Sequence, residues 1–321
     1  MDVSVDGKRF LSFNRHLRAT FGEKVFKISL DGGFTCPNRD GTVAFGGCTF
    51  CSEHGSGDFV QMRTAPLSEQ FELYKNKMSE KWSAGKFIAY FQAFTNTHAP
   101  VSVLRERFES ILLEDNVVGL SIATRPDCLP GEVVAYLSEL NHRTFLWVEL
   151  GLQTIFDDTA AIFNRGYKFE TYLKAVENLR SHKIRVCTHI INGLPGENRE
   201  MMLESARAVA NLDVQGIKIH LLHLLKDTPM TQLYNSGSLR FLERDEYVAL
   251  VCDQLEVLPP DMVIHRLTGD GLRDKIIGPL WSIKKWETLN AINRLLESRN
   301  SWQGKYYNQL MSPRKGCSTR P

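Results

Sequence analysis

The sequence predicts an α/β fold on a parallel sheet, and three observations point to it. Short runs rich in β-branched and aromatic residues recur along the chain, and stretches of helical period separate them. With 321 residues, 43% of them hydrophobic, there is enough chain to bury a core between sheet and helices. The predicted strands are residues 25–30, 87–91, 117–122, 144–150, 184–191 and 216–222, each short and apolar. The predicted helices between them are 67–82, 101–113, 132–140, 171–181 and 199–211. In the second helix Leu104, Phe108, Ile111 and Leu112 fall on one face. Repeated strand–helix units give a parallel sheet, and in closed sheets of this kind chemistry gathers at the C-terminal ends of the strands. No internal repeat, low-complexity tract or linker interrupts the pattern.

Composition excludes several classes. No segment approaches the ~18 uninterrupted apolar residues that span a bilayer, and Met-Asp-Val-Ser-Val-Asp lacks the basic-then-apolar pattern of a signal peptide. A cytoplasmic location and no membrane partner are therefore expected. Of the seven cysteines, Cys128, Cys187, Cys252 and Cys317 are scattered singly, which is no disulfide framework. They read as small buried hydrophobes or, for Cys317, a frayed terminal thiol.

The other three cysteines carry the strongest signal. Cys36, Cys48 and Cys51 stand in Gly-Gly-Phe-Thr-Cys-Pro-Asn-Arg…Gly-Gly-Cys-Thr-Phe-Cys-Ser, with no fourth cysteine near them. Three thiolates on an iron–sulfur cluster leave one iron open for an exchangeable ligand, whereas a structural metal site is closed by four protein ligands. Gly32, Gly33, Gly46 and Gly47 let the backbone wrap a bulky inorganic core, and Pro37 and Asn38 favour a turn after the first ligand. The rival is a zinc site completed by His54. Its first spacing, eleven residues between Cys36 and Cys48, is unlike the short spacings of zinc motifs.

This arrangement resembles the radical S-adenosylmethionine (SAM) superfamily, and the wide first spacing resembles its bacterial branch of the YtqA and YhcC type. The catalytic subunit of the tRNA-modifying elongator complex is a more distant relative. The resemblance runs from about Phe10 to about Gly271. It implies a partial (β/α)6 barrel with an N-terminal cluster loop and a C-terminal helical extension, divided here as residues 1–272 and 273–321. It also implies a 4Fe-4S cluster held by Cys36, Cys48 and Cys51, with SAM on the open iron and Phe50 against its adenine.

The strand ends supply further candidates. After the second strand, Thr95 and Asn96 replace the family's Gly-Gly-Glu stretch as acceptors for the SAM ammonium; the plainer reading is a polar turn capping the next helix. After the third, Pro126 forces Arg125 out of helical geometry in Thr-Arg-Pro-Asp, so Arg125 is presented to substrate, or pairs with Asp127. Relatives often carry a carboxylate just before this run, and Ala123 stands there. Glu149-Leu150-Gly151-Leu152-Gln153 followed by Asn164-Arg165-Gly166 resembles the coproporphyrinogen-oxidase pattern, in which an amide and an arginine twelve residues on contact the SAM ribose and carboxylate. An amide both donates and accepts, and a guanidinium grips a carboxylate bidentately. A capping glutamine and a surface arginine is the plainer alternative. Glu149 is a candidate for ribose or substrate. After the fifth strand, Gly193 in Gly-Leu-Pro-Gly is implied to receive the adenine edge, with His189 beside it. Beyond the sixth, Lys226 is a candidate substrate contact, and His220 and His223 read as mostly structural.

Charge is uneven. From residue 273 onward there are ten Lys and Arg against three acidic residues, whereas the remainder carries 29 against 34. Trp281, Trp286, Trp302, Tyr306 and Tyr307 lie among Lys284, Lys285, Arg294, Arg299 and Lys305, a mixture suited to phosphates and unstacked RNA bases. The same stretch also fits an amphipathic helix burying its tryptophans on the barrel. Lys8, Arg9, Arg15, Arg18, Lys24 and Lys27 are candidates for the same basic footprint.

The resemblance implies radical chemistry on wobble uridine in the anticodon stem-loop of tRNA, removing the carboxymethyl part of 5-carboxymethylaminomethyl-(2-thio)uridine to leave the 5-aminomethyl form. A reductant such as flavodoxin or ferredoxin is implied as a partner. Two alternatives stand: radical chemistry on another substrate such as a tetrapyrrole, and a zinc- or cluster-stabilised RNA-binding module.

Overall fold

In the computed structural model the described residues are 6–307, except 56, 59, 81–84, 270 and 272. The predicted helix end at Trp82, the domain boundary at Leu272, Cys317 and the extension past Tyr307 lie outside them.

The chain begins with α1 (Phe13–Phe21), started by the Ser12 hydroxyl accepting from Arg15 N–H and ended by Gly22 in the left-handed region. Strand–helix units follow: β1 (Val25–Leu30), α2 (Leu67–Ser79), β2 (Lys86–Phe91), α3 (Val101–Leu112), β3 (Val117–Thr124), α4 (Gly131–Arg143) and β4 (Phe145–Gln153). Next come α5 (Asp157–Ile162), α6 (Phe169–Ser181), β5 (Arg185–Asn192), α7 (Arg199–Ala210) and β6 (Gly216–Leu221). The chain continues through β7 (Leu224–Leu225), α8 (Thr231–Asn235), α9 (Arg244–Val257), β8 (Val263–Arg266), β9 (Ile276–Gly278) and α10 (Lys285–Ser298).

The main sheet runs in the order β1-β2-β3-β4-β5-β6-β8 with every pairing parallel, a curled, partial barrel with helices packed on its outer face. The predicted six strands are all present, to within a few residues at their ends. The seventh, β8, is four residues long and too short to show a pattern. Likewise α9 is buried nearly all round, so no polar face marks it as a helix.

The lower end of the barrel is plugged. Phe13 from α1 stacks on His265 of β8, ring centroids 4.0 Å apart, and meets Trp147 of β4 edge-on. Gly216 of β6 has to be glycine, because a Cβ there would lie 2.9 Å from the Trp147 ring. That end is filled, and the cavity of the barrel lies toward the C-terminal strand ends.

The C-terminal segment packs onto this body. Strand β9 pairs with β7, and Ile292 and Leu296 of α10 join the main core beside α9. Trp281 donates its indole N–H to the Leu242 carbonyl, whereas Trp286 is 75% exposed. Among the described residues no helix is long and apolar enough to cross a membrane.

Candidate active site

A cavity of about 420 Å³ fills the open end of the barrel, within the size range of small-molecule sites. Cys36, Cys48, Cys51 and Phe50 line one side of it. Their loop is held by its own backbone: the Cys36 carbonyl accepts from Arg39 and Asp40 N–H, and the Cys48 carbonyl from Cys51 N–H. Asn38 donates to the Asn164 carbonyl at 2.5 Å and to Cys48 Sγ at 3.7 Å, while Asn164 returns a bond to the Gly47 carbonyl. Gly166, at φ +83°, lets this second loop approach, since a Cβ would meet Asn38 Oδ1 at 2.7 Å. Arg39 donates to the carbonyls of Cys51, Ser52 and Glu53, closing the cysteine loop at its end.

Two arginines place positive charge beside Cys48. The Cys51 S–H bonded to Cys48 lowers the Cys48 thiol and raises its own, and the Arg125 and Arg39 guanidiniums lower Cys48 further against the effect of burial. Among the described residues no three His, Cys, Asp or Glu side chains are gathered closely enough for one ion. His54 pairs with Glu53 at 3.1 Å and is not on the cavity wall, so it does not complete a zinc set. Three thiols on one wall, without a fourth protein ligand, fit thiolates spread over separate irons.

Around the mouth the structure gathers many of the predicted residues and partners them tightly. Arg165 is buried and donates to the carbonyls of Leu152, Thr154 and Tyr167 and to Asp157. Arg125 grips Asp127 bidentately at 2.9 and 2.7 Å and reaches the Arg165 carbonyl. Both guanidiniums lie over the Tyr167 ring, whose hydroxyl donates to Gly151 O and Gln153 Oε1. Gln153 sits on the wall at φ +62°, at a bulge that re-aims the end of β4. Thr95 is on the wall; Asn96 lies behind it, its amide N–H groups on the Phe91 and Ala123 carbonyls and its Oδ1 buried without a partner. Gly193, at φ +89°, is off the wall, its N–H directed to Met202 Sδ.

The floor is different. Glu149 of β4 points into the lumen with a fully buried side chain. One oxygen accepts from Lys27 of β1 and Ser121 of β3, the other from His189 of β5 and Lys218 of β6. Burial alone would raise Glu149, but the two ammoniums outweigh it and hold the carboxyl well below its usual range. Burial pushes Lys218 down to about 7 and His189 down to about 4. Tyr90 lies under both lysines, 3.9 and 4.4 Å from ring centre to nitrogen, and its hydroxyl accepts from Lys218 at 3.0 Å. Lys27 therefore belongs to the barrel interior and leaves the basic surface footprint expected of it.

Two further expectations change. His220 and His223, read as mostly structural, both line the cavity. Lys226 is exposed, donates to the Asp274 carbonyl and is not on the wall; Lys284 and Lys285 lie at the start of α10, outside the cavity. The sequence reading missed Lys218, Tyr90, Tyr167 and Arg266, all on the wall. For Lys218 a signal existed: in Gly-Ile-Lys-Ile-His-Leu, Lys218 and His220 alternate with isoleucines and so share one face of a buried strand.

Residues 36–209 match the Radical SAM superfamily, and residues 214–298 the Radical SAM C-terminal domain. The chain belongs to the radical SAM superfamily. It is 65% identical over 303 residues to YtqA of Bacillus subtilis, covering 94% of each protein. A tRNA uridine(34) acetyltransferase of Methanocaldococcus jannaschii is 24% identical over 160 residues, 49% of this chain and 29% of that protein. The structure of archaeal Elp3 from Methanocaldococcus infernus superposes with a TM-score of 0.64 at 15% identity, covering 90% of this chain and 68% of that one, a likeness of fold. The cofactors of a radical SAM enzyme are a 4Fe-4S cluster and SAM, and the three-thiol wall and the cavity beside it suit both.

Proposed function

We propose that this radical SAM enzyme acts on the wobble uridine of tRNA, converting 5-carboxymethylaminomethyl-(2-thio)uridine to the 5-aminomethyl form. The observation that carries the reading is the similarity, across about half the chain, to proteins named tRNA uridine(34) acetyltransferases. The exposed Trp286 beside Lys284, Lys285 and Arg294 supports it, because aromatic planes and cations together suit an anticodon stem-loop.

Cys36, Cys48 and Cys51 hold the cluster in this reading, while Phe50, Thr95, Gln153 and Arg165 shape the SAM site and Arg125 fixes the loop above it. When bound, cluster and SAM supply a 5′-deoxyadenosyl radical able to take hydrogen from an unactivated carbon. The aromatic plug of Phe13, Trp147 and His265 limits the approach of water from the lower end of the barrel. Loss of one hydrogen atom from the CH2 beside the amine, with the remaining electron returned to the cluster and the N–H proton released, would leave an imine, which water would split into the aminomethyl nucleoside and glyoxylate. Flavodoxin or ferredoxin supplies the starting electron.

Mass spectrometry of tRNA nucleosides from cells lacking the protein tests this. Accumulated 5-carboxymethylaminomethyl-2-thiouridine with loss of the aminomethyl-derived form is the expected result. An unchanged wobble-uridine profile would overturn the tRNA reading and leave the radical SAM class.

A further inference from the structure

Among the described residues of the barrel floor, Lys27 and Lys218 share the single carboxylate of Glu149. By contrast the guanidiniums of the mouth, Arg125 and Arg165, each have a carboxylate of their own in Asp127 and Asp157. Lys218 is buried and Lys27 is 19% exposed; burial drives Lys218 toward its neutral form, and a further anion beside it would hold it charged.

The polar atoms are arranged to receive one. An ammonium has three donors, and Lys218 spends them on two partners, Glu149 and Tyr90, leaving one N–H for the cavity it lines. Two residues along the same strand, His220 also lines the cavity, and its buried Nε2 has no partner among the described residues. Its ring lies 5.2 Å from that of His189. Burial keeps the His220 imidazole neutral, so in the right tautomer its Nε2–H is a donor. An unspent ammonium donor and an unpartnered imidazole nitrogen on one wall form a carboxylate seat in a water-poor enclosure.

We infer that the barrel floor binds a carboxylate of the substrate through Lys218 and His220, so that the substrate enters acid end first. This rests on the tRNA reading for the identity of the acid: the carboxymethylamino group ends in a carboxylate one carbon from nitrogen. Seating that carboxylate at the floor leaves its CH2 above it, toward the cysteine wall. SAM also carries a carboxylate, and the two sources are separable by experiment.

Sarcosine, the free CH3–NH–CH2–COO⁻ fragment, is a suitable probe, with sarcosine amide as its uncharged counterpart. Binding of each is measured by saturation-transfer NMR on anaerobic, cluster-loaded enzyme, with and without SAM. In the SAM-loaded wild type the acid is expected to bind at least about tenfold more tightly than the amide, as one charge-assisted bond gives. Lys218→Met is expected to abolish that preference and Lys218→Arg to retain it. Equal binding of acid and amide by the wild type, binding of neither, or a preference that survives Lys218→Met would overturn the inference. A preference present without SAM and lost when SAM is bound would also overturn it, assigning the seat to the SAM carboxylate. Should the nucleoside profile be unchanged while the sarcosine preference holds, the tRNA reading falls and the carboxylate seat stands for another acid.

Discussion

The mouth and the floor of the same barrel solve the problem of buried charge in opposite ways. At the mouth, Arg165 and Arg125 are tied to protein carboxylates and carbonyls, so the loops beside the three cysteines are rigid before any cofactor arrives. At the floor, Glu149 is saturated with four donors while the lysines around it are not matched one for one. A carboxylate for each guanidinium preorganises the mouth as a holder; the shared carboxylate of the floor gives the lumen an affinity for anions.

The largest effect that separates the two regions comes from the cysteines. Replacing Cys36, Cys48 or Cys51 with Ala is expected to abolish the brown cluster chromophore and SAM cleavage together, read by absorbance and 5′-deoxyadenosine release, because among the described residues no fourth cysteine lines the cavity. A colourless wild-type protein holding zinc after anaerobic reconstitution would break the comparison at its root.

At the floor, Glu149→Gln strips the shared carboxylate from the buried Lys218 and the partly exposed Lys27. It is expected to cost about 3–5 kcal/mol in chemical denaturation, the cost of breaking a buried ion pair. A loss under about 1 kcal/mol would mean that the lysines turn to solvent and that the floor is not closed.

His189 adds a pH signature. Its value is about 4 when folded and 6.5 for the free side chain, so the stability held by its neutral form is complete above pH 6.5 and is lost as pH falls toward 4. His189→Gln is expected to remove about 3 kcal/mol of that acid loss, seen as a flatter dependence of unfolding free energy between pH 6.5 and 4. An unchanged slope would place His189 in water.

These regions were not equally legible in the sequence. The mouth announced itself because its residues come in local motifs, three cysteines in a loop and Thr-Arg-Pro-Asp after a strand, and a motif survives without knowledge of the fold. The alternating runs gave six strands, but the four residues of β8 hold too little pattern and α9 lacks a polar face. The floor was hidden because its members, Lys27, Tyr90, Ser121, Glu149, His189 and Lys218, come from six strands and meet only when the sheet curls. Lys27 looked like one more basic residue near the N-terminus until the register β1-β2-β3-β4 brought it to Glu149. Even the mouth was only partly readable: nothing local says that Arg165 would spend its guanidinium on Leu152, Thr154 and Asp157.

That last point makes Arg165→Met informative at a smaller scale. Whether the tightly held guanidinium touches SAM or shapes the loop that does, SAM binding is expected to weaken by about 1.5–3 kcal/mol, roughly 10- to 150-fold in Kd by equilibrium dialysis. No change in Kd would detach the mouth from the cofactor. The smallest effect lies outside the barrel: neutralising Lys284, Lys285 and Arg294 together is expected to weaken tRNA binding a few-fold and lower its salt slope by up to about 3. An identical slope would leave α10 as a packing element alone.

Deuterium transfer tests most directly the claim that the mouth holds SAM over a substrate whose acid end sits on the floor. tRNA bearing the carboxymethylaminomethyl group with deuterium on the CH2 next to the carboxylate is turned over by the reduced holoenzyme, and the 5′-deoxyadenosine is weighed. One deuterium in 5′-deoxyadenosine, with the aminomethyl nucleoside formed alongside, is the expected result. Unlabelled 5′-deoxyadenosine, or label with no change to the nucleoside, would contradict it.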